Sequence, residues 1–242
     1  MRVAALSDIH GNLPALDAVL ADVAREDVDA VVVTGDSISG PWPVEVFERL
    51  REIDARVVRG NADRLVLEQG RGYGDPEASL GAWCAGLLGP DRLELASRWP
   101  TALELDVDGL GRVLVCHSTP ASDEVIYTRI TPAAEVVDLL ADVDAEIVLS
   151  GHTHIQFDRR LDGGPRVVNP GSVGMPYEGR RGAFWALLGP DVELRRSEYD
   201  VEEAVRAIRE LGAPVREELL AYLLEPLDPD VATAEFEGYR GA

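Results

Sequence analysis

Three short apolar runs near the N-terminus, Val3 to Ser7, Ala30 to Thr34 and Ala55 to Val58, each stop at a polar loop that carries an aspartate or an asparagine. Between them lie segments whose apolar residues recur at helical spacing: Leu13, Leu16, Val19, Leu20 and Val23, then Val46, Phe47, Leu50 and Ile53. Pro14 falls in the first turn of the first segment and Pro43 opens the second, places where a missing N–H costs nothing. Apolar strands alternating with helices predict a largely parallel sheet buried on both faces. Ligand sites of such sheets lie beyond the carboxyl ends of the strands. Asp8, Asp36 and Asn61 sit at those ends.

From Arg64 to Trp99 the pattern is helical but interrupted by Gly70, Gly72, Gly74 and Pro90, which predicts two or three helices, one of them starting at Asp75-Pro76. Leu103 to Val107 and Arg112 to Cys116 flank a hairpin-like turn, and the second of these strands delivers His117. Thr131-Pro132 starts a helix through Leu140, and Glu146 to Leu149 is a strand that leads into Gly151-His152-Thr153-His154. The pattern then turns antiparallel, with strands at Ile155 to Leu161, Arg166 to Asn169, Gly182 to Leu188 and Asp191 to Tyr199. Helices are expected over Asp200 to Leu211 and Pro214 to Leu224, and the acidic stretch Glu225 to Ala242 is expected to be loosely packed. The two halves read either as two domains or as two sheets of one sandwich.

At 242 residues the chain can bury about 70% of its unfolded surface without disulfides or a structural metal. Cys84 and Cys116 are far apart and form no Cys-x-x-Cys pattern, which points to a reduced, cytoplasmic protein. The opening Met1 to Asp8 meets a charge too early for a signal peptide, and no apolar run approaches the ~20 residues of a membrane span. The formal charge is −21, and all 23 basic residues are arginine. Such a surface repels duplex nucleic acid and anionic membranes, so neither is expected as a partner. A homo-oligomer is compatible with the composition.

All four histidines follow apolar strands: His10, His117, His152 and His154. In an extended segment a period of two sends His152 and His154 the same way, so the pair can bind one centre or two adjacent ones; a polar turn after a buried strand is the plainer alternative. Joined to Asp8, Asp36 and Asn61, however, the imidazoles make a donor set suited to two divalent first-row metals. Asp36, with two carboxylate oxygens, is the natural bridge.

These residues resemble the metallophosphoesterase, or calcineurin-like phosphoesterase, superfamily. Its successive blocks are matched by Asp8-Ile9-His10, Gly35-Asp36, Gly60-Asn61-Ala62-Asp63, His117 and Gly151-His152-Thr153-His154. The opening Ser7-Asp8-Ile9-His10-Gly11-Asn12 and the segment Asn169-Pro170-Gly171-Ser172-Val173-Gly174 look like its small prokaryotic phosphodiesterases. The resemblance spans roughly residues 1 to 188. It implies an α/β fold, a four-layer sandwich of two mixed β-sheets flanked by α-helices, in a single domain over 1–242 with a core over about 1–199 and C-terminal helices and an acidic tail over about 200–242.

The resemblance also implies site roles. Asp8, His10, Asp36 and His154 would hold one metal, and Asp36, Asn61, His117 and His152 the other, with Asp36, Asn61 and His117 central to catalysis. The metals would be two divalent ions, Mn2+ foremost, with Fe, Zn or Ni as alternatives, and the attacking group a metal-bridging hydroxide. The substrate would be a small organic phosphate or nucleotide, most readily a diester. The alternatives are a phosphomonoesterase or protein phosphatase with the same metal core, a nuclease, which the charge disfavours, and a non-catalytic interaction scaffold, which the complete ligand set disfavours.

The chain departs from the pattern at Ala62, where the wider superfamily carries a histidine credited with protonating the leaving group or binding phosphate. Small members often have cysteine there. Alanine can do neither, so good leaving groups or a proton-supplying water are expected. Asp63 then either holds Arg64, aiming it at a substrate oxygen, or forms an exposed helix-start pair with it. Asn12 either offers its amide to a phosphate or caps the following helix, the cap being favoured. Ser118 either narrows the pocket or donates a hydrogen bond. Arg129, Tyr127, Tyr177, Arg180 and Arg181 are further candidates for substrate contacts.

Overall fold

The computed structural model describes residues 1–70, 79–215 and 217–240; the expected helix start at Asp75-Pro76 lies outside the described residues. The first half runs β1 (Val3–Leu6), α1 (Leu13–Val23), β2 (Ala30–Val33), α2 (Pro43–Glu52), β3 (Arg56–Val57), α3 (Asn61–Gln69) and α4 (Leu80–Ala96). Asn12 caps α1, its Oδ1 accepting the Ala15 N–H at 3.3 Å. Helix α4 breaks at Gly89, whose φ of 69° precedes Pro90, so the chain makes two helical pieces there. The second half runs β4 (Ala102–Val107), β5 (Gly111–Cys116), α5 (Ala133–Leu139), β6 (Ile147–Leu149), β7 (Phe157–Arg160), β8 (Arg166–Asn169), β9 (Ala183–Leu188) and β10 (Val192–Ser197). Helices α6 (Val201–Leu211), α7 (Glu217–Leu224) and α8 (Pro229–Tyr239) complete the chain.

The strands form two five-stranded sheets, in the orders β10-β9-β1-β2-β3 and β4-β5-β6-β8-β7. Both are mixed: β1, β2 and β3 are parallel in the first, with antiparallel β9 and β10 on one side, and β5, β6 and β8 are parallel in the second, with antiparallel β4 and β7 at its two edges. Alternation along each strand builds the layers. Val3, Ala5 and Val32 face Val113, Val115, Ile147 and Leu149 of the other sheet. Ala4, Leu6 and Val33 face outward onto Leu16 and Val19 of α1 and Val46 and Leu50 of α2. On the far side Leu114, Val148 and Val167 pack on Val136 of α5. The result is the expected four-layer α/β sandwich.

The acidic end is not loosely packed. Asp228 caps α8 by accepting the Asp230 N–H at 2.8 Å, and Glu237 accepts from the Thr128 and Thr131 hydroxyls. Arg129 reaches Asp230 and Thr233 of the same helix. The anchoring groups lie about a hundred residues upstream, so composition alone could not reveal them. Among the described residues no helix is long and apolar enough to cross a membrane.

Six parallel strand ends open on the same edge, and Asp63 fastens two of their loops. Its Oδ1 accepts from the backbone of Ser37 (2.8 Å) and Ile38 (3.0 Å) and its Oδ2 from Gly60 (3.1 Å). Asp63→Ala leaves three buried N–H groups unpaired and should cost more than about 3 kcal/mol, whereas Asp63→Asn, which keeps an acceptor, should cost less. Urea unfolding checks this, and equal stability of Asp63→Ala and the parent would contradict it.

Candidate metal centre

Each parallel strand hands one ligand loop to the shared edge. Leu6 of β1 leads to Asp8 and His10, Val33 of β2 to Asp36, Val57 of β3 to Asn61, Cys116 of β5 to His117, and Leu149 of β6 to His152 and His154. The sixth, β8, supplies the bracket: Asn169 donates to the Gly151 carbonyl (2.7 Å) and accepts from Gly171 N (2.8 Å), while Ser172 donates to the Asp8 carbonyl (2.7 Å).

Five of the seven ligand residues adopt the left-handed backbone region: Asp8 (φ 50°), His10 (46°), Asp36 (54°), His152 (70°) and His154 (57°). Among the described residues one other non-glycine, Asp54, does so. Such conformations persist only where the surroundings over-determine them, and they cluster at functional sites. Nothing in the sequence patterning exposes this feature. The strained turns also need close backbone approach: a Cβ at Gly60 would lie 2.1 Å from Asp36 Oδ1, and one at Gly151 would lie 1.8 Å from Ser7 Oγ.

The donors converge. His10 Nε2 lies 3.1 Å from His154 Nε2, which is 3.3 Å from Asp8 Oδ1. Asp36 Oδ2 lies 3.8 Å from His10 Nε2 and 3.5 Å from His117 Nε2, and Asn61 Oδ1 is 2.8 Å from the same His117 nitrogen. Asp8, His10 and His154 form one group, and Asp8, Asp36 and His117 a second, in each of which the ligand atoms lie within 4.8 Å of one another. His152 joins through its ring, centred 5.0 Å from that of His117.

Neighbouring groups fix how the donors face. His117 Nδ1 donates to the Thr34 carbonyl (2.9 Å) and His154 Nδ1 to the Met175 carbonyl (2.7 Å), which leaves each Nε2 as a lone pair. Asp8 Oδ2 accepts from the Ser7 hydroxyl and from His152 N (3.1 Å), and Thr34 donates to Ser7 in turn. Asp8 Oδ1 is buried with no hydrogen-bond partner. A buried carboxylate oxygen without a hydrogen-bond partner beside inward-facing imidazole nitrogens fits a divalent cation.

The electrostatics agree. Burial penalises the Asp8 carboxylate, but the positive charge that His154, His117 and His10 can carry outweighs it and holds the pKa well below the usual carboxylate range. Burial opposes charge on His117 and His154, yet Asp36 and Asp8 raise the first and Asp8 the second. Burial and the neighbouring imidazoles depress His10 and His152, the latter to about 4. Burial and the Asp36 charge push Asp63 up to about 7.

The three residues read as substrate contacts are engaged elsewhere. The Arg64 guanidinium pairs with Asp123 (2.8 Å) and Glu124 (2.6 Å), not with Asp63, which is turned toward backbone N–H groups. The buried Ser118 hydroxyl donates to the Val125 carbonyl. The Asn12 amide donates to the Gly174 carbonyl (3.0 Å) and the Tyr199 hydroxyl (3.2 Å) while its oxygen caps α1. Tyr127 is buried and bonded to Ser150, Arg129 is held by α8, Arg180 lies over the Phe184 ring, and Arg181 reaches Glu202 and the Leu224 carbonyl. Tyr177 stacks on His154, with centroids 5.3 Å apart, and touches Tyr222 of α7 and Phe236 of α8. Those aromatic partners had no motif to mark them.

Protons and cations compete for the same lone pairs. Mn2+ affinity should therefore fall as pH drops through the raised pKa values of His117 and His154, which lie above the ordinary 6.5. The expected loss is about tenfold per pH unit for each imidazole that must shed a proton. Calorimetric titration between pH 8 and 5.5 measures it, and a pH-independent affinity would contradict the assignment.

The family model of the calcineurin-like phosphoesterase superfamily domain matches residues 1–188. An uncharacterized protein of Methanocaldococcus jannaschii is 28% identical over 228 residues, covering 85% of this chain and 91% of its own length. Phosphodiesterase YfcE of Escherichia coli K12 is 27% identical over 203 residues, covering 79% and 89% respectively. The crystal structure of a metallophosphoesterase from Sphaerobacter thermophilus superposes with a TM-score of 0.76 at 28% identity, over 93% of this chain and 99% of that one. With the fold, the ordered ligand blocks and this match in agreement, the chain belongs to the calcineurin-like phosphoesterase superfamily and carries its general phosphoesterase activity with divalent metal ions.

Proposed function

We propose that this protein is a phosphodiesterase that uses two divalent cations, Mn2+ foremost, to hydrolyse a small organic phosphoester or nucleotide. The observation that carries the reading is the position of Asp36 Oδ2, 3.8 Å from His10 Nε2 and 3.5 Å from His117 Nε2, between donors of two neighbouring groups. Similarity to phosphodiesterase YfcE supports the diester preference. The formal charge of −21 argues against duplex nucleic acid as substrate.

Cations held by these residues would acidify a water for attack and polarise the phosphoryl oxygens. The chain's own contribution is positional. Asp36 Oδ1 is pinned by Ala62 N at 2.8 Å, which aims Oδ2 between His10 and His117. Ser7 and Thr34 hold Asp8, and the Thr34 and Met175 carbonyls orient two imidazoles. In the reaction a water oxygen bonds to phosphorus, the P–O bond to the leaving alcohol breaks, and one water proton goes to solvent. Ala62 has no proton to give, so the departing oxygen takes its proton from solvent.

Three measurements test this. With Mn2+, bis(p-nitrophenyl) phosphate should be cleaved in preference to p-nitrophenyl phosphate; the reverse order would favour a phosphomonoesterase or protein phosphatase. Asp36→Asn should abolish turnover, since it removes the charged bridge. Rates should fall steeply as leaving-group pKa rises, and Ala62→His should raise the rate on poor leaving groups by as much as ~10²-fold while changing aryl substrates little. A flat dependence in the parent enzyme would refute the role assigned to Ala62.

A further inference from the structure

Beside the ligand edge lies a cavity of about 210 Å3 that His10 and Ala62 help to line. Its walls are Leu80 of α4, Ile208 of α6, Val215, and Leu219 and Leu223 of α7. Among the described residues no aspartate, glutamate or arginine lines it. The Asn12 amide at its rim is occupied by Gly174 and Tyr199. Five lining residues, Ile208, Val215, Leu219, Leu220 and Leu223, lie beyond 188, outside the stretch matched by the family model.

Size and chemistry identify the occupant. The cavity is half-open to solvent and its lining is mainly apolar, with His10, Asn12 and Ser39 as its polar members, so its size and chemistry suit a substituted ring or a short branched alkyl group. A charged or sugar group would find few hydrogen-bond partners against the leucine, isoleucine and valine side chains there. The cavity also adjoins the metal centre, because His10 is both a ligand residue and part of its wall. Ala62, where the family pattern carries a histidine, is one of the lining residues.

We propose that α6, α7 and Leu80 form a subsite for the uncharged, apolar organic group of a phosphoester whose phosphoryl group sits at the metal centre. This rests on the phosphoesterase reading above. It narrows the substrate class from organic phosphates in general to those bearing an aryl or short alkyl group, and it makes Leu219 and Val215 specificity-determining residues.

Calorimetric binding of methyl-, propyl-, butyl- and benzylphosphonate to the Mn2+-loaded protein tests it without relying on turnover. Each methylene that enters the cavity should tighten binding about threefold to fourfold, until the group outgrows the space. In Leu219→Asp and, independently, Val215→Asp, the ratio of butyl- to methylphosphonate affinity should collapse toward one. In Leu219→Ala it should fall only in part. The parent series decides the matter even if a variant fails to fold: affinities that do not depend on chain length overturn the subsite and leave the phosphoesterase reading standing. If no phosphonate binds and no phosphoester is cleaved, the underlying reading fails and the subsite with it. An unchanged ratio in both aspartate variants would also overturn it, since a merely structural loss would weaken every phosphonate alike.

Discussion

Buried electron-pair donors that point at one another are the constraint on which the rest of this molecule depends. Asp8 Oδ1, Asp36 Oδ2 and the Nε2 atoms of His117 and His154 meet within a few ångströms at the edge of two sheets. Left to themselves they repel, and each has lost its water. Holding them there also requires left-handed backbone at five residues, a conformation that costs an ordinary residue roughly 1–2 kcal/mol. Asp and His tolerate that region better than most. The remainder is met by a dense set of bonds from Ser7, Thr34, Asn169 and Ser172, each of which ties a ligand loop to a strand end. The sandwich supplies the rigid strands, and the loops supply the strain.

The N-terminal strands and the ligand blocks were legible because they are local: an apolar run, a polar stop and a fixed spacing. The order of blocks also located the shared edge, since parallel strands all end on it. What was not legible depends on partners distant in sequence. Arg64 follows Asp63 directly, yet it turns to Asp123 and Glu124, some sixty residues on, because burial turns Asp63 toward three backbone N–H groups. Ser118 gives its hydroxyl to a nearby carbonyl that no motif announces. The acidic composition of the last residues suggested a loose tail, and only Thr128, Arg129 and Thr131 explain why it is a docked helix.

The C-terminal helices connect these two themes. They lie outside the family match, but their side chains approach the metal-ligating edge from two directions. Tyr177 stands between His154 and the aromatic rings of α7 and α8, while α6 and α7 wall the space beside His10 and Ala62. The core sets where phosphorus is held; the added helices set what surrounds the rest of the substrate.

The central claim is that the donor set holds a pair of cations bridged by a shared carboxylate. Elemental analysis and electron paramagnetic resonance of the protein reconstituted with Mn2+ address it most directly. The account predicts two Mn2+ per chain with an exchange-coupled spectrum. A single ion per chain, or two ions that behave as magnetically isolated, would contradict it.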